Sequence, residues 1–217
     1  MTARYTLVAG TKDWSSWSLR PYVALKHIGA PFEEELIHLR RNSTTEEVQK
    51  RSPSGRVPLL KIAENGQTTL VWDSLAICET LAERHPEAKL WPDDWRTRAE
   101  ARSVSAEMHS GFADVRDQLT MDFARRLPTP ELRDTTKAQI ARILKIWTDA
   151  LGKHGGPFLF GRFSIADCMY APVCSRFRTY GIAMPDAAKA YVERMFALPA
   201  MADWGKAAAR EVEEGQA

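Results

Sequence analysis

What this 217-residue chain lacks narrows its function before any motif does. Thirty basic residues face 28 acidic ones, a net charge of +2. That near-balance gives no long-range field of the kind nucleic-acid binding uses. The short basic clusters Arg40-Arg41 and Arg125-Arg126 have acids close by and read as solvated surface. No apolar run approaches the ~20 residues of a membrane span. The opening Met1-Thr2-Ala3-Arg4-Tyr5 lacks the apolar segment of a signal peptide. Cysteine is scarce: Cys78, Cys168 and Cys174 form neither a CxxC pair nor a Cys/His metal spacing, so no metal is expected. All three sit in apolar-periodic segments and read as buried free thiols. Internal repeats and low-complexity tracts are absent as well. These absences point to a cytoplasmic protein with neither nucleic-acid nor membrane partners.

What is present is an ordinary globular composition, 44% hydrophobic and 27% charged. Tyr5 to Ala9 reads as a strand. Trp14-Ser15-Ser16-Trp17-Ser18-Leu19-Arg20-Pro21-Tyr22 then opens a helix that ends near Ile28-Gly29. Serines at a helix start and a proline in its first turn suit a helix N-terminus. Phe32 to Leu39 reads as a second strand, and Asn42 to Glu47 offers a capping box for a short helix. Val57 to Ile62 and Thr68 to Trp72 read as two strands joined by a turn at Glu64-Asn65-Gly66-Gln67. Asp73-Ser74 caps a further helix ending near His85-Pro86.

The order is therefore β-α-β-α-β-β-α over residues 1–85. Residues 86–95, with two prolines, two tryptophans and two aspartates, read as a linker. Residues 96–217 show only helical periodicity, at about Arg96 to Phe123, Glu131 to Leu151, Ser164 to Arg178, Ala187 to Phe196 and Met201 to Glu214. A small α/β domain followed by an all-helical domain results.

Three sites in the first domain have two readings each. The serines cap a helix, or one of them holds a hydroxyl against a bound thiolate or phosphate at the positive end of the helix. Val57-Pro58 is a proline at the start of a strand, or a cis peptide that turns the backbone of Val57 toward an extended peptide. Asp73-Ser74 is an N-cap, or it receives the amino-acid end of a ligand. In a four-stranded α/β unit these three can converge on one edge.

At this point the sequence resembles the glutathione S-transferase superfamily. The resemblance rests on Ser15-Ser16-Trp17-Ser18-Leu19-Arg20, Ser54-Gly55-Arg56-Val57-Pro58, Trp72-Asp73-Ser74-Leu75-Ala76-Ile77 and Phe163-Ser164-Ile165-Ala166-Asp167. The serine segment is most similar to zeta-class and related bacterial serine-type members. The resemblance implies a thioredoxin-like first domain and glutathione as co-substrate. A serine hydroxyl would donate to the glutathione sulfur for attack on a small electrophile. Ser15 takes the catalytic position, with Ser16 as the alternative. By the same carry-over Val57 pairs with the cysteinyl backbone across Pro58, Asp73 and Ser74 hold the γ-glutamyl end, and Arg56 reaches the glycyl carboxylate. Ser164 and Asp167 are structural.

The helix that follows would border the electrophile pocket, lined by Met108, His109 and Phe112 with Trp14 or Trp17 above. Ser105, His109 and Phe112 are spaced to share one face. Zeta-class isomerases carry a second arginine soon after the first; Tyr22 stands there, which argues against maleylacetoacetate isomerisation. The cysteine of omega- or beta-type reductases is missing from the active segment. A homodimer is also implied. The alternatives are a non-catalytic protein-binding scaffold on the same fold, or a glutathione-dependent isomerase or dehalogenase.

Overall fold

The computed structural model describes residues 3–217. Four strands, β1 (Arg4–Gly10), β2 (Phe32–Ile37), β3 (Leu59–Glu64) and β4 (Gln67–Trp72), form one sheet in the order β2-β1-β3-β4. β2 runs parallel to β1, whereas β3 is antiparallel to β1 and β4 to β3. Leu7, Tyr5, Leu60 and Ile62 face one core, against helices α1 (Ser16–Ile28) and α3 (Ser74–Arg84). Val8, Ile37 and Leu59 face a smaller one closed by Val48 of α2 (Thr44–Arg51). Burial on both faces is what β1 needs to be apolar at nearly every position.

Register sets the site. Val8 lies opposite Leu59, and Leu59 opposite Trp72. The C-terminal end of β1, the N-terminal end of β3 and the C-terminal end of β4 therefore meet at one end of the sheet. Gly10 closes β1 there because a Cβ would stand 2.8 Å from the Leu39 side chain.

The segment expected as a linker holds one 3-10 turn, Pro86–Ala88, and docks on both sides of itself. Trp91 Nε1 donates to Glu79 at 2.9 Å, and the Leu90 carbonyl accepts from Ile165 N–H at 2.9 Å. Helices α4 (Trp95–Ser110), α5 (Ala113–Gln118), α6 (Asp134–His154), α7 (Ile165–Thr179), α8 (Asp186–Phe196) and α9 (Pro199–Glu213) follow. α7 is buried along most of its length and packs against α1 and α4. Trp147 of α6 is fully buried between Tyr170, Phe177 and Tyr191.

Two expectations change. The helix expected over Arg96–Phe123 is two, since Gly111 ends α4 and Phe112 takes a left-handed φ of 58°. The box expected at Asn42–Glu47 does not form: the Ser43 hydroxyl donates to the Glu47 carboxylate at 2.8 Å and leaves the backbone uncapped.

Candidate functional site

Ser15 is the N-cap of α1 and is 4% exposed. Its N–H donates to the Thr11 carbonyl at 2.8 Å, which folds residues 11–15 into a tight turn. Its hydroxyl donates to Ser18 Oγ at 2.8 Å, and Ser18 Oγ also accepts from Gly10 N–H at 3.2 Å. Ser18, expected only to cap, is thus a fully buried anchor between β1 and α1. Ser16 opens the helix itself and is buried almost as deeply as Ser15.

Val57-Pro58 is a cis peptide. Val57 is half-buried, Pro58 is buried and Arg56 is exposed. Val57 lies two residues before Leu59, the β3 residue paired with Val8.

Asp73 adopts φ 73°, and its Oδ1 accepts from Leu75 N–H at 2.8 Å and Ala76 N–H at 3.4 Å. That cap leaves Oδ2 free to meet His109 Nε2 of α4 at 3.2 Å, an ion pair when His109 is protonated. Ser74 is buried, and its hydroxyl accepts from Arg20 Nη1 at 3.2 Å.

Arg20 has no exposed surface, and its Nε and Nη2 have no partner. Burial lowers its pKa to about 9, and the neighbouring Arg116 cation adds to that. Its guanidinium lies 4.3 Å from the Trp17 ring centroid, that of Arg116 4.9 Å, and the His109 ring meets Trp17 edge-on at 5.3 Å. Arg116 carries no motif in the sequence. It ties down the end of α4 by donating to the Met108, His109 and Gly111 carbonyls. Its position on the far side of the helix break hides it from any periodicity argument. Burial holds the His109 pKa below its ordinary value, Asp73 pulling the other way.

The lining expected around His109 is only partly assembled. Trp17 and His109 meet. Met108 is 1% exposed and Phe112 7%, both in the core, because the break at Gly111 takes Phe112 off the α4 face. Trp14 turns elsewhere: it packs under Arg40 at 4.3 Å and borders a surface hollow with Leu39, Arg41 and residues 215–217. Tyr22, 2% exposed, lies edge-on to Trp204 at 4.9 Å and is therefore a core residue.

Residues 14–84 match the model of the glutathione S-transferase N-terminal domain, and residues 130–204 that of its C-terminal domain. Maleylacetoacetate isomerase of Dictyostelium discoideum is 30% identical over 169 residues, covering 73% of this chain and 74% of the relative. The chain belongs to the glutathione S-transferase superfamily. Among solved members, a glutathione transferase homologue from Burkholderia with bound glutathione superposes with a TM-score of 0.73 at 27% identity, over 95% of this chain and 99% of the other. Maleylacetoacetate isomerase from Anaeromyxobacter dehalogenans, also with bound glutathione, gives a TM-score of 0.69 at 25% identity, over 94% and 95%. The thioredoxin-like sheet followed by helices is the superfamily's fold. Among the described residues no helix is long and apolar enough to cross a membrane, and no group of three or more His, Cys, Asp or Glu could hold a metal ion.

Proposed function

We propose that this protein is a serine-type glutathione transferase that activates the thiol of glutathione for attack on a small electrophile. The observation that carries the reading is the convergence of Ser15, Val57 beside cis Pro58, and Asp73-Ser74 at one end of the sheet. Val57 offers its N–H and carbonyl to the cysteinyl backbone. Asp73, Ser74 and the start of α3 receive the γ-glutamyl end, and exposed Arg56 reaches toward the glycyl carboxylate.

A free thiol with a pKa of about 8.5 is mostly protonated at neutral pH. The Ser15 hydroxyl donates to the sulfur, and the N-terminus of α1 adds its dipole, so the thiolate is favoured and the proton leaves to solvent. The thiolate then forms the C–S bond at the electrophilic carbon, and the leaving group departs. Serine donates throughout and forms no covalent bond. Trp17 and His109 border the second-substrate space, beside the cations of Arg20 and Arg116.

Leu70 and Trp72 on β4 and Trp95 at the start of α4 are exposed at 39%, 48% and 60%. Large apolar side chains left open along an edge strand favour association. We infer a homodimer through this edge, in a cytoplasmic setting consistent with three unpaired cysteines. Light scattering that gives a monomer at working concentration overturns the dimer.

The decisive test is retention on immobilised glutathione together with conjugation of an activated aryl chloride. Both are expected. Failure to bind glutathione, with a protein partner co-purifying, would favour the scaffold reading.

A further inference from the structure

Residues 11–13, just before Ser15, are gripped from three directions. From the sheet side, Thr11 N–H donates to the Ile37 carbonyl at 3.1 Å, and Thr11 Oγ1 accepts from Leu39 N–H at 2.8 Å. From the loop after α5, Phe123 N–H donates to the Asp13 carbonyl at 3.0 Å and Ala124 N–H to Asp13 Oδ1 at 2.8 Å. From α9, Trp204 Nε1 donates to the Lys12 carbonyl at 2.8 Å, and Glu211 Oε2 accepts from Asp13 N–H at 2.9 Å.

The α9 contacts are built for the purpose. Glu211 is a charged side chain brought to 5% exposure, and it spends one oxygen on a single backbone N–H 198 residues away in sequence. Lys12 pairs with Glu34 at 2.6 Å and lies over the rings of Tyr22 and Trp204. Gly205 lets α9 approach the Phe123 loop, since a Cβ there would stand 3.0 Å from the Phe123 ring. A buried carboxylate is costly unless its hydrogen bonds are needed where it sits.

Resting on the transferase reading above, we propose that Glu211 is a positioning residue for the reaction. It holds Asp13 N–H and thereby fixes the turn that aims the Ser15 hydroxyl at the glutathione sulfur. Asp13 lies inside the turn that carries Ser15, closed where the Thr11 carbonyl accepts from both Trp14 N–H and Ser15 N–H. A turn freed at Asp13 lets the hydroxyl wander, and a hydrogen bond loses strength steeply as its angle degrades. The cost then falls on stabilisation of the thiolate, more than on glutathione binding, which rests on the β3 and α3 segments.

The test compares Glu211→Ala with Glu211→Gln, which keeps an oxygen able to accept from Asp13 N–H. Three quantities are read: glutathione Kd by calorimetry, steady-state kcat and KM, and the thiol pKa in the binary complex from ultraviolet thiolate absorbance. For Glu211→Ala the bound thiol should titrate about one pH unit higher, a loss of thiolate of up to about tenfold near neutral pH. The Kd should stay within about threefold, and Glu211→Gln should restore most of the loss. If Glu211→Ala does not fold, Trp204→Phe serves instead, since it keeps an aromatic ring against Tyr22 and removes the other α9 donor to the turn, at Lys12, along with part of the indole. An unchanged thiol titration in a folded variant, or parallel loss of Kd and kcat that Gln does not rescue, overturns the proposal while wild type still binds and conjugates. Wild type that never binds glutathione overturns the transferase reading and this inference with it.

Discussion

The hydroxyl of Ser15 donates to the hydroxyl of Ser18 at 2.8 Å, while Ser18 is held by Gly10 N–H at 3.2 Å. In the free protein Ser15 therefore has an internal acceptor, and on the proposed assignment a glutathione thiolate competes for its proton. A charge-assisted hydrogen bond is about twice as strong as a neutral one, so the thiolate wins. Ser15→Ala should lower kcat by about a hundredfold while glutathione binding changes by less than about fivefold, the range for a lost donor to a developing charge. Ser18→Ala keeps the donor and loses its anchor, so its effect should be smaller. If Ser16→Ala proves inactive and Ser15→Ala active, the assignment moves by one residue.

Asp73 and His109 link the two halves of the site at 3.2 Å. Burial holds the His109 pKa below its ordinary value of 6.5. The folded protein therefore binds that proton less readily than the unfolded chain does, and stability is lost as pH falls below about 6.5. Above that pH this residue costs nothing. His109→Gln should flatten the dependence of the melting temperature on pH between about 5 and 7. A wild-type curve that rises toward acid, and that Gln flattens, would show that Asp73 outweighs burial.

Arg20 is a buried cation with two unpartnered nitrogens, one hydrogen bond to the Ser74 hydroxyl and the Trp17 ring against its guanidinium. Such a charge is retained against its desolvation cost, and an apolar side chain of similar length avoids that cost. Arg20→Met should leave stability unchanged or raise it by up to about 2 kcal/mol. Glutathione affinity should fall in the same variant, because Ser74 loses its donor and the pocket loses a cation. Denaturant melts and calorimetry on one preparation separate the two effects. A variant both less stable and unchanged in affinity would make Arg20 a packing residue.

Much of this is legible locally. Caps announce themselves: Asp73 accepts from the first N–H groups of α3, and Asp167 reaches back to accept from Ser164 N–H at the head of α7. The resemblance locates the three segments, and strand register then brings them to one end of the sheet. Apolar periodicity runs unbroken from α4 into α5, so only the left-handed backbone at Phe112 reveals the break that buries Phe112 and brings in Arg116. Trp14 and Trp17 look equivalent in sequence, yet three residues along a turn and a helix start send one to Arg40 and the other to His109. The Asp13–Glu211 contact spans nearly the whole chain and leaves no local signature.

The cysteines read as buried thiols are fully buried, with Cys168 close enough to Cys78 to interact. Burial pushes the thiols of Cys168 and Cys174 well above their ordinary values. A thiolate is the reactive form, so the native protein should consume no aromatic disulfide reagent, and denatured protein three equivalents. Fast titration of one thiol in the native state would mean that the core around α7 opens.

Asp167 shows the opposite pH sense from His109. It has no exposure, and its oxygens accept from Ser164 N–H at 2.8 Å, the Ser164 hydroxyl at 3.0 Å, Leu159 N–H at 3.1 Å and Tyr191 OH at 3.0 Å. Burial outweighs these bonds and raises its pKa from 3.8 to about 6. The folded state therefore holds the proton more tightly than the unfolded chain, and the group's contribution is largest below about pH 4. It is lost as pH rises through 6, by up to about 3 kcal/mol across that interval. Asp167→Asn removes that titration and turns an amide NH2, itself a donor, toward two of those donors, a cost of about 1–3 kcal/mol for each donor left unpaired. The destabilisation should accordingly be greatest at low pH and shrink toward pH 8. A gap that widens with rising pH would show that the four donors hold Asp167 as a carboxylate in spite of its burial.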